Sequence, residues 1–154
     1  MKELGAHLLE ESRERFLRYV RVNTRSDPDS GGHPSSEGQW ELARVLVGEL
    51  DALGLEAVET DAGCFLYARL PATEGVKEPP VCLCAHLDTS PSEPAEGVTP
   101  VLHEDYQGGP IRFSDDPDLK LTPEVSPELR GCIGHTVITA SGRTLLGADD
   151  KAGI

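Results

Sequence analysis

The chain has 154 residues, with 14 Lys and Arg against 27 Asp and Glu, and a formal net charge of -13. That length suits one domain of about 150 residues, and 16 Gly with 12 Pro stay below the roughly 25–30% of Gly plus Pro that signals low complexity. An acidic chain without a basic run is a poor binder of nucleic-acid backbones and is repelled by anionic membrane surfaces.

In chain order, residues 3–22 place Leu4, Leu8, Leu9, Phe16, Leu17 and Val20 at helical spacing between charges, which predicts an amphipathic helix. The charges at Glu10, Glu11, Arg13, Glu14 and Arg15 interrupt any leader-like apolar run from Met1, and no stretch approaches the roughly 20 apolar residues of a membrane span. A cytoplasmic protein is expected. Residues 23–36 hold loop formers: Asp27-Pro28-Asp29, Gly31-Gly32 and Pro34. A second helix is expected over 36–53, with Ser35 or Ser36 as N-cap, Glu37 in the first turn and Gly54 as the stop. Trp40, Ala43, Leu46, Val47, Leu50 and Leu53 form its apolar stripe.

The period then shortens. Residues 56–60 and 64–70 alternate around Asp61-Ala62-Gly63, the mark of a hairpin. Residues 71–80 form a polar loop. Residues 81–88 are apolar almost throughout, as in a strand covered on both faces. Residues 89–131 show no clean period and predict short strands and turns. Residues 136–140 and 143–146 flank Ser141-Gly142, a hairpin signal. The expected fold class is α/β: a mixed sheet with flanking helices and a mainly parallel centre.

Two segments concentrate chemistry. Alternation along a strand puts Cys82, Cys84, His86 and Asp88 on one face, with His86 and Asp88 at the C-terminal end, where open α/β sheets keep their ligand sites. Imidazole is a common metal ligand, and a carboxylate two residues away can hold the ring. On spacing alone, an ordinary strand end turning into Thr89-Ser90-Pro91 accounts for these residues as well. Cys82 and Cys84 read better as buried hydrophobes than as soft ligands. The four cysteines, including Cys64 and Cys132, lack the spacing of a disulfide framework. The second segment is Gly147-Ala148-Asp149-Asp150-Lys151-Ala152-Gly153. A carboxylate here can bridge two cations among small residues that allow close approach, with Lys151 neutralising one charge; taken alone, a solvated Asp-Asp turn capping a helix, with Asp149 or Asp150 at the cap, is the better reading. His7, His33, His103 and His135 have no paired ligands and read as surface or locally bonded groups. No nucleophile elbow, phosphate loop or zinc-finger pair occurs.

Taken together and in order, five stretches resemble the M20 family of zinc metallopeptidases, and within it the branch that removes the N-terminal residue from tripeptides. They are Phe16-Leu17-Arg18-Tyr19-Val20 with Asn23-Thr24; Pro34-Ser35-Ser36-Glu37-Gly38-Gln39-Trp40; Ala85-His86-Leu87-Asp88-Thr89-Ser90-Pro91; Tyr106-Gln107-Gly108-Gly109; and residues 144–154. The resemblance implies two zinc ions, with His86 a ligand of one, Asp149 bridging both, Asp88 orienting His86 and acting in catalysis, and Asp150 in support. It also implies that the Asp149–Asp150 peptide is often cis.

By the same resemblance, residues 1–154 are a partial catalytic, metal-binding domain. The general-base glutamate, the remaining ligands, an inserted lid or dimerisation domain and the C-terminal half of the catalytic domain would follow Ile154. The chain alone is then expected to be inactive and to hold zinc weakly or not at all. The intact enzyme would act on tripeptides, could form a homodimer, and would touch neither nucleic acid nor membrane. The alternatives are another M20 hydrolase (a dipeptidase, carboxypeptidase or deacylase) and a non-catalytic α/β module that binds a partner chain or a divalent ion.

Overall fold

The computed structural model describes residues 2–154; Met1, where the leader reading begins, lies outside them. The elements run α1 (Lys2–Tyr19), α2 (Glu37–Ala52), β1 (Glu56–Thr60), β2 (Leu66–Arg69), β3 (Val101–His103), β4 (Ile111–Arg112), β5 (Lys120–Leu121) and β6 (Val137–Thr139). A 3-10 helix, Pro127–Cys132, precedes β6, and a helical turn, Ala148–Lys151, closes the series. The fold is α/β, with helices beside three two-stranded antiparallel sheets. Among the described residues no helix is long and apolar enough to cross a membrane.

The chain divides into two compact units. One comprises Thr24–Pro91 with Asp149–Ile154. Here α2 packs on the β1–β2 hairpin. The face at Gln39, Leu42, Ala43 and Leu46 is buried, as helical spacing requires, and Leu42 is fully enclosed. Ser36 stands at the N-cap in an extended conformation but makes no side-chain capping bond. Ser35 does the local bonding instead: its N–H donates to Gln39 Oε1 at 3.1 Å, and its hydroxyl accepts from Gln39 Nε2 at 3.0 Å. The hairpin turn forms where Asp61-Ala62-Gly63 predicts it. Asp61 Oδ1 accepts the Gly63 and Phe65 amides at 2.8 and 2.9 Å, an Asx-type turn that adds to the backbone bonds from Cys64 N–H to Asp61 O and from Asp61 N–H to Phe65 O. A register shift between Glu56 and Glu59 marks a bulge, with Ala57 at φ +50°.

The other unit comprises the chain up to Asn23 with Ser92–Ala148. Tyr106, Ile111 and Leu129 form a buried cluster, with Leu121, Cys132 and Val137 packed against it. β3 pairs β6 antiparallel, Val101 opposite Thr139, and β4 pairs β5. The Tyr106-Gln107-Gly108-Gly109 corner is fastened to the cluster through Tyr106 N–H to His135 O at 2.9 Å and Gly134 N–H to Tyr106 O at 2.8 Å. Along α1 the apolar stripe is buried only at its end: Tyr19 and Val20 are buried, Phe16 and Leu17 half-buried, and Leu4, Leu8 and Leu9 exposed.

Three sequence expectations are corrected. The predicted parallel centre reduces to a single parallel bridge, Arg25 to Thr89. Residues 81–88 are not a doubly covered strand: Val81 is 86% and Leu83 91% exposed, and Cys82 and Cys84 are exposed rather than buried. An apolar run is covered only where ladder neighbours flank it, and no described residue pairs along 81–87. Residues 143–146 do not fold back on 136–140. Gly142 turns at φ +113° directly beneath Phe113, Arg143 Nε donates to Asp115 O, and Leu145 N–H donates to Pro94 O at 2.8 Å. Those bonds draw the segment away, and the strand at 137–139 pairs with β3 instead.

Candidate metal centre

Everything in this site belongs to one unit, in three pieces: residues 24–26, 86–91 and 149–153. The first two run parallel. Thr89 N–H donates to Thr24 O at 3.1 Å, and Ser26 N–H donates to Thr89 O at 2.9 Å. Arg25 fastens the same edge with its guanidinium, Nε and Nη2 donating to Pro91 O at 3.1 and 2.5 Å. Thr24 and Thr89 are buried, so this short ladder is the inner support of residues whose functional groups face outward.

His86 is held from both ring nitrogens. Nδ1 lies 2.9 Å from the Asp88 carbonyl oxygen and 3.2 Å from Asp88 Oδ1. Nε2 lies 3.2 Å from Asp149 Oδ1. Both partners of Nδ1 and the partner of Nε2 are acceptors, so the two nitrogens compete for the one hydrogen of the neutral ring. Partial burial pulls the imidazole toward neutrality. The hydrogen bond to Asp149, the Asp88 carbonyl and the two carboxylate charges outweigh that pull and raise its pKa above the ordinary histidine value.

The third piece brings the aspartates. The Asp149–Asp150 peptide is cis, as the resemblance implies. Neither residue has helical torsions: Asp149 sits at φ -93°, ψ 105° and Asp150 at φ -112°, ψ 23°. The reading of this pair as the cap of a short helix is therefore set aside in favour of an irregular turn. Asp149 is almost wholly exposed except for its contact with His86. Asp150 faces the backbone behind it. A Cβ at Gly153 would run into its carboxylate, so the small residue is required there for close approach, to Asp150 rather than to a ligand. Lys151 is buried at 3% exposure, and burial lowers its amine to about 8.

The structure thus joins His86, Asp88 and Asp149, which sequence reasoning named, and keeps Asp150 beside them. It separates Cys82 and Cys84, which lie exposed along the approach. Of the other histidines, His103 Nε2 bonds Thr139 Oγ1 at 3.0 Å, and the His33 ring lies 5.2 Å from that of Phe65; neither joins the site. Sequence reasoning missed Ser26, whose hydroxyl donates to Asp88 Oδ2 at 2.5 Å. Sixty-two positions separate the two, and only the ladder reveals the pairing.

The donors suit zinc in kind and spacing. Two ligands each about 2.0–2.2 Å from a tetrahedral ion stand roughly 3.3 Å apart, close to the His86–Asp149 separation. They fall short in number. Among the described residues no group of three or more His, Cys, Asp or Glu side chains is gathered to hold an ion, whereas a catalytic zinc takes about three protein ligands and water. His86 and Asp149 fit part of a zinc site.

No protein-family profile matches the chain. Individual relatives do. Over 141 residues, 92% of its length, the chain is 49% identical to peptidase T of Geobacillus thermodenitrificans (strain NG80-2) and 49% identical to peptidase T of Geobacillus kaustophilus (strain HTA426). Peptidase T of Bacillus pumilus (strain SAFR-032) is 43% identical over 145 residues, 94% of the chain. The chain spans about a third of the length of these relatives, 34–35%.

Proposed function

Starting from homology over nine-tenths of the chain to about a third of peptidase T, we propose that these residues supply the N-terminal share of the two-zinc site of an M20-type tripeptide aminopeptidase. The observation that supports this reading is the convergence of His86 Nε2 and Asp149 Oδ1 at the 3.2 Å spacing of a chelating pair. His86 and Asp149 would hold their share of the zinc, which when bound would supply Lewis-acid polarisation of a carbonyl and a more acidic water. His86 would offer its Nε2 lone pair with its hydrogen on Nδ1, where the Asp88 carbonyl and carboxylate would receive it. Asp149, exposed and carrying two oxygens, would contribute its carboxylate as a further ligand. Asp150 stays against the backbone of Gly153 and keeps the turn that presents Asp149. The general base and the remaining ligands come from the sequence that the relatives carry beyond this third. A cytoplasmic setting suits the four free cysteines.

The test is a chimera in which this chain replaces the matching third of the Geobacillus thermodenitrificans peptidase T. Zinc-dependent release of the N-terminal residue from a tripeptide is expected, with loss in His86→Ala and Asp149→Ala. A folded chimera that ignores tripeptides but cleaves dipeptides or acyl-amino acids would move the reading to another M20 hydrolase. A folded chimera whose activity survives His86→Ala would remove it. The chain by itself should release no more than its own His86→Ala control.

A further inference from the structure

Ser26 carries its hydroxyl to the far side of the carboxylate that braces His86. We infer that Ser26 is a positioning residue for the metal-binding nitrogen of His86: by holding the Asp88 carboxylate in place it keeps the imidazole hydrogen on Nδ1 and leaves Nε2 open. This rests on the reading of His86 as a zinc ligand, which it deepens.

The geometry supplies each link. The Asp88 carboxylate uses its two oxygens on two partners, Oδ1 toward His86 Nδ1 at 3.2 Å and Oδ2 as acceptor of the Ser26 hydroxyl at 2.5 Å. An aspartate carboxylate turns about a soft, roughly two-fold torsion, and this one is half-exposed, so packing does not fix its plane. The serine bond does. Ser26 is itself fixed, since its N–H bonds Thr89 O at 2.9 Å and the neighbouring Arg25 grips Pro91 O. Donor and acceptor therefore sit on adjacent strands of one parallel ladder, and the hydroxyl cannot drift without breaking it.

What is at stake is the single hydrogen of the neutral ring. Two carboxylates compete for it, Asp88 at Nδ1 and Asp149 at Nε2. If the Asp88 carboxylate loosens, Asp149 gains. A ring with its hydrogen on Nε2 has no lone pair for an ion at that atom. Partners that orient a metal-bound histidine are typically worth about 10–100-fold in affinity. A serine acting one bond further out is expected at the lower end of that range.

The experiment uses the whole 154-residue chain with 15N-labelled histidine, at a pH where the His86 ring is neutral, and reads its tautomer ratio and its response to added zinc. The wild-type chain should hold predominantly the Nδ1–H form. Ser26→Ala should shift the ratio toward Nε2–H at least about threefold and weaken zinc binding about tenfold. Ser26→Thr, which keeps the hydroxyl, should restore both, and Ser30→Ala, in the exposed loop nearby, should change neither. A folded Ser26→Ala chain with the wild-type ratio, when Asp88→Asn shifts it, overturns the proposal; so does an equal shift in Ser30→Ala. If Ser26→Ala does not fold, Ser26→Cys decides: a partial shift supports the role of the hydroxyl, and a wild-type ratio overturns it. Zinc-dependent activity that survives His86→Ala in the chimera would strike the metal reading alone, because the tautomer comparison needs no metal.

Discussion

His86 Nε2 and Asp149 Oδ1 meet at 3.2 Å across sixty-three positions of sequence. Two groups that bind one ion as a pair lose most of their joint benefit when either is removed, so their contributions are not additive. His86→Ala and Asp149→Ala should each weaken zinc binding by the chimera, and the double variant should be little weaker than either single one. Competition with a chromogenic chelator measures all four affinities. Additive losses would show that the two side chains bind separately.

The thiols test the exposure of residues 81–88. Cys82 and Cys84 are exposed, Cys132 is intermediate and Cys64 is buried. Burial first, and then the Asp61 charge, hold the Cys64 thiol above its ordinary pKa. At pH 8, iodoacetamide should label Cys82 and Cys84 first and Cys64 last, as mass spectrometry of timed digests would show. A raised thiol pKa favours the folded state only while the thiol is protonated in both states. Stability therefore falls as the pH rises above about 8.5, where the unfolded thiol ionises first. Fast labelling of Cys64 without denaturant would contradict its burial.

Gly142 leaves no room for a side chain. A Cβ there would lie 2.7 Å from Phe113 Cβ, in a conformation with φ +113°. Gly142→Ala should cost on the order of 2 kcal/mol from backbone strain and overpacking, read as a lower urea midpoint. The control is Gly48→Ala on α2, where a Cβ meets nothing within 4 Å; helix propensity should make it neutral or stabilising. A midpoint for Gly142→Ala equal to wild type would mean that the turn is built differently.

Val81 and Leu83 lie bare on an unpaired extended segment, which is the combination that invites edge-to-edge association. The double variant Val81→Lys, Leu83→Lys should sediment as a smaller species than wild type at the same concentration, with unchanged far-ultraviolet circular dichroism. Identical sedimentation would show that association, if present, lies elsewhere.

What could be read in advance follows from range. α2 and the β1–β2 hairpin were legible because their causes are local: a 3.6 period, a cap region, an Asx turn at Asp61. The pair His86 and Asp88 was legible as a motif two residues long, and Asp149 through resemblance. Residues 81–88 misled because an apolar run states only that burial would be favourable, not which strands provide it. The Ser141-Gly142 signal correctly marked a turn but not its destination, which Phe113 and Asp115 decide from some thirty residues away. Ser26 carried no signal at all. Its value lies in a neighbour sixty-two positions distant, and a single serine in a loop has no pattern to display.

The unit that holds the site is discontinuous, Thr24–Pro91 and then Asp149–Ile154. On a ribosome, Ser26, His86 and Asp88 have all emerged well before Asp149 and can set their ladder first. Asp149 arrives only after all of 92–148 has been made, and joining it to His86 closes a long loop whose entropy grows only slowly with its length. The pairing of imidazole with carboxylate is thus a late event in the life of the chain. A nascent polypeptide arrested before residue 149 would hold a braced histidine without the carboxylate that completes the chelating pair.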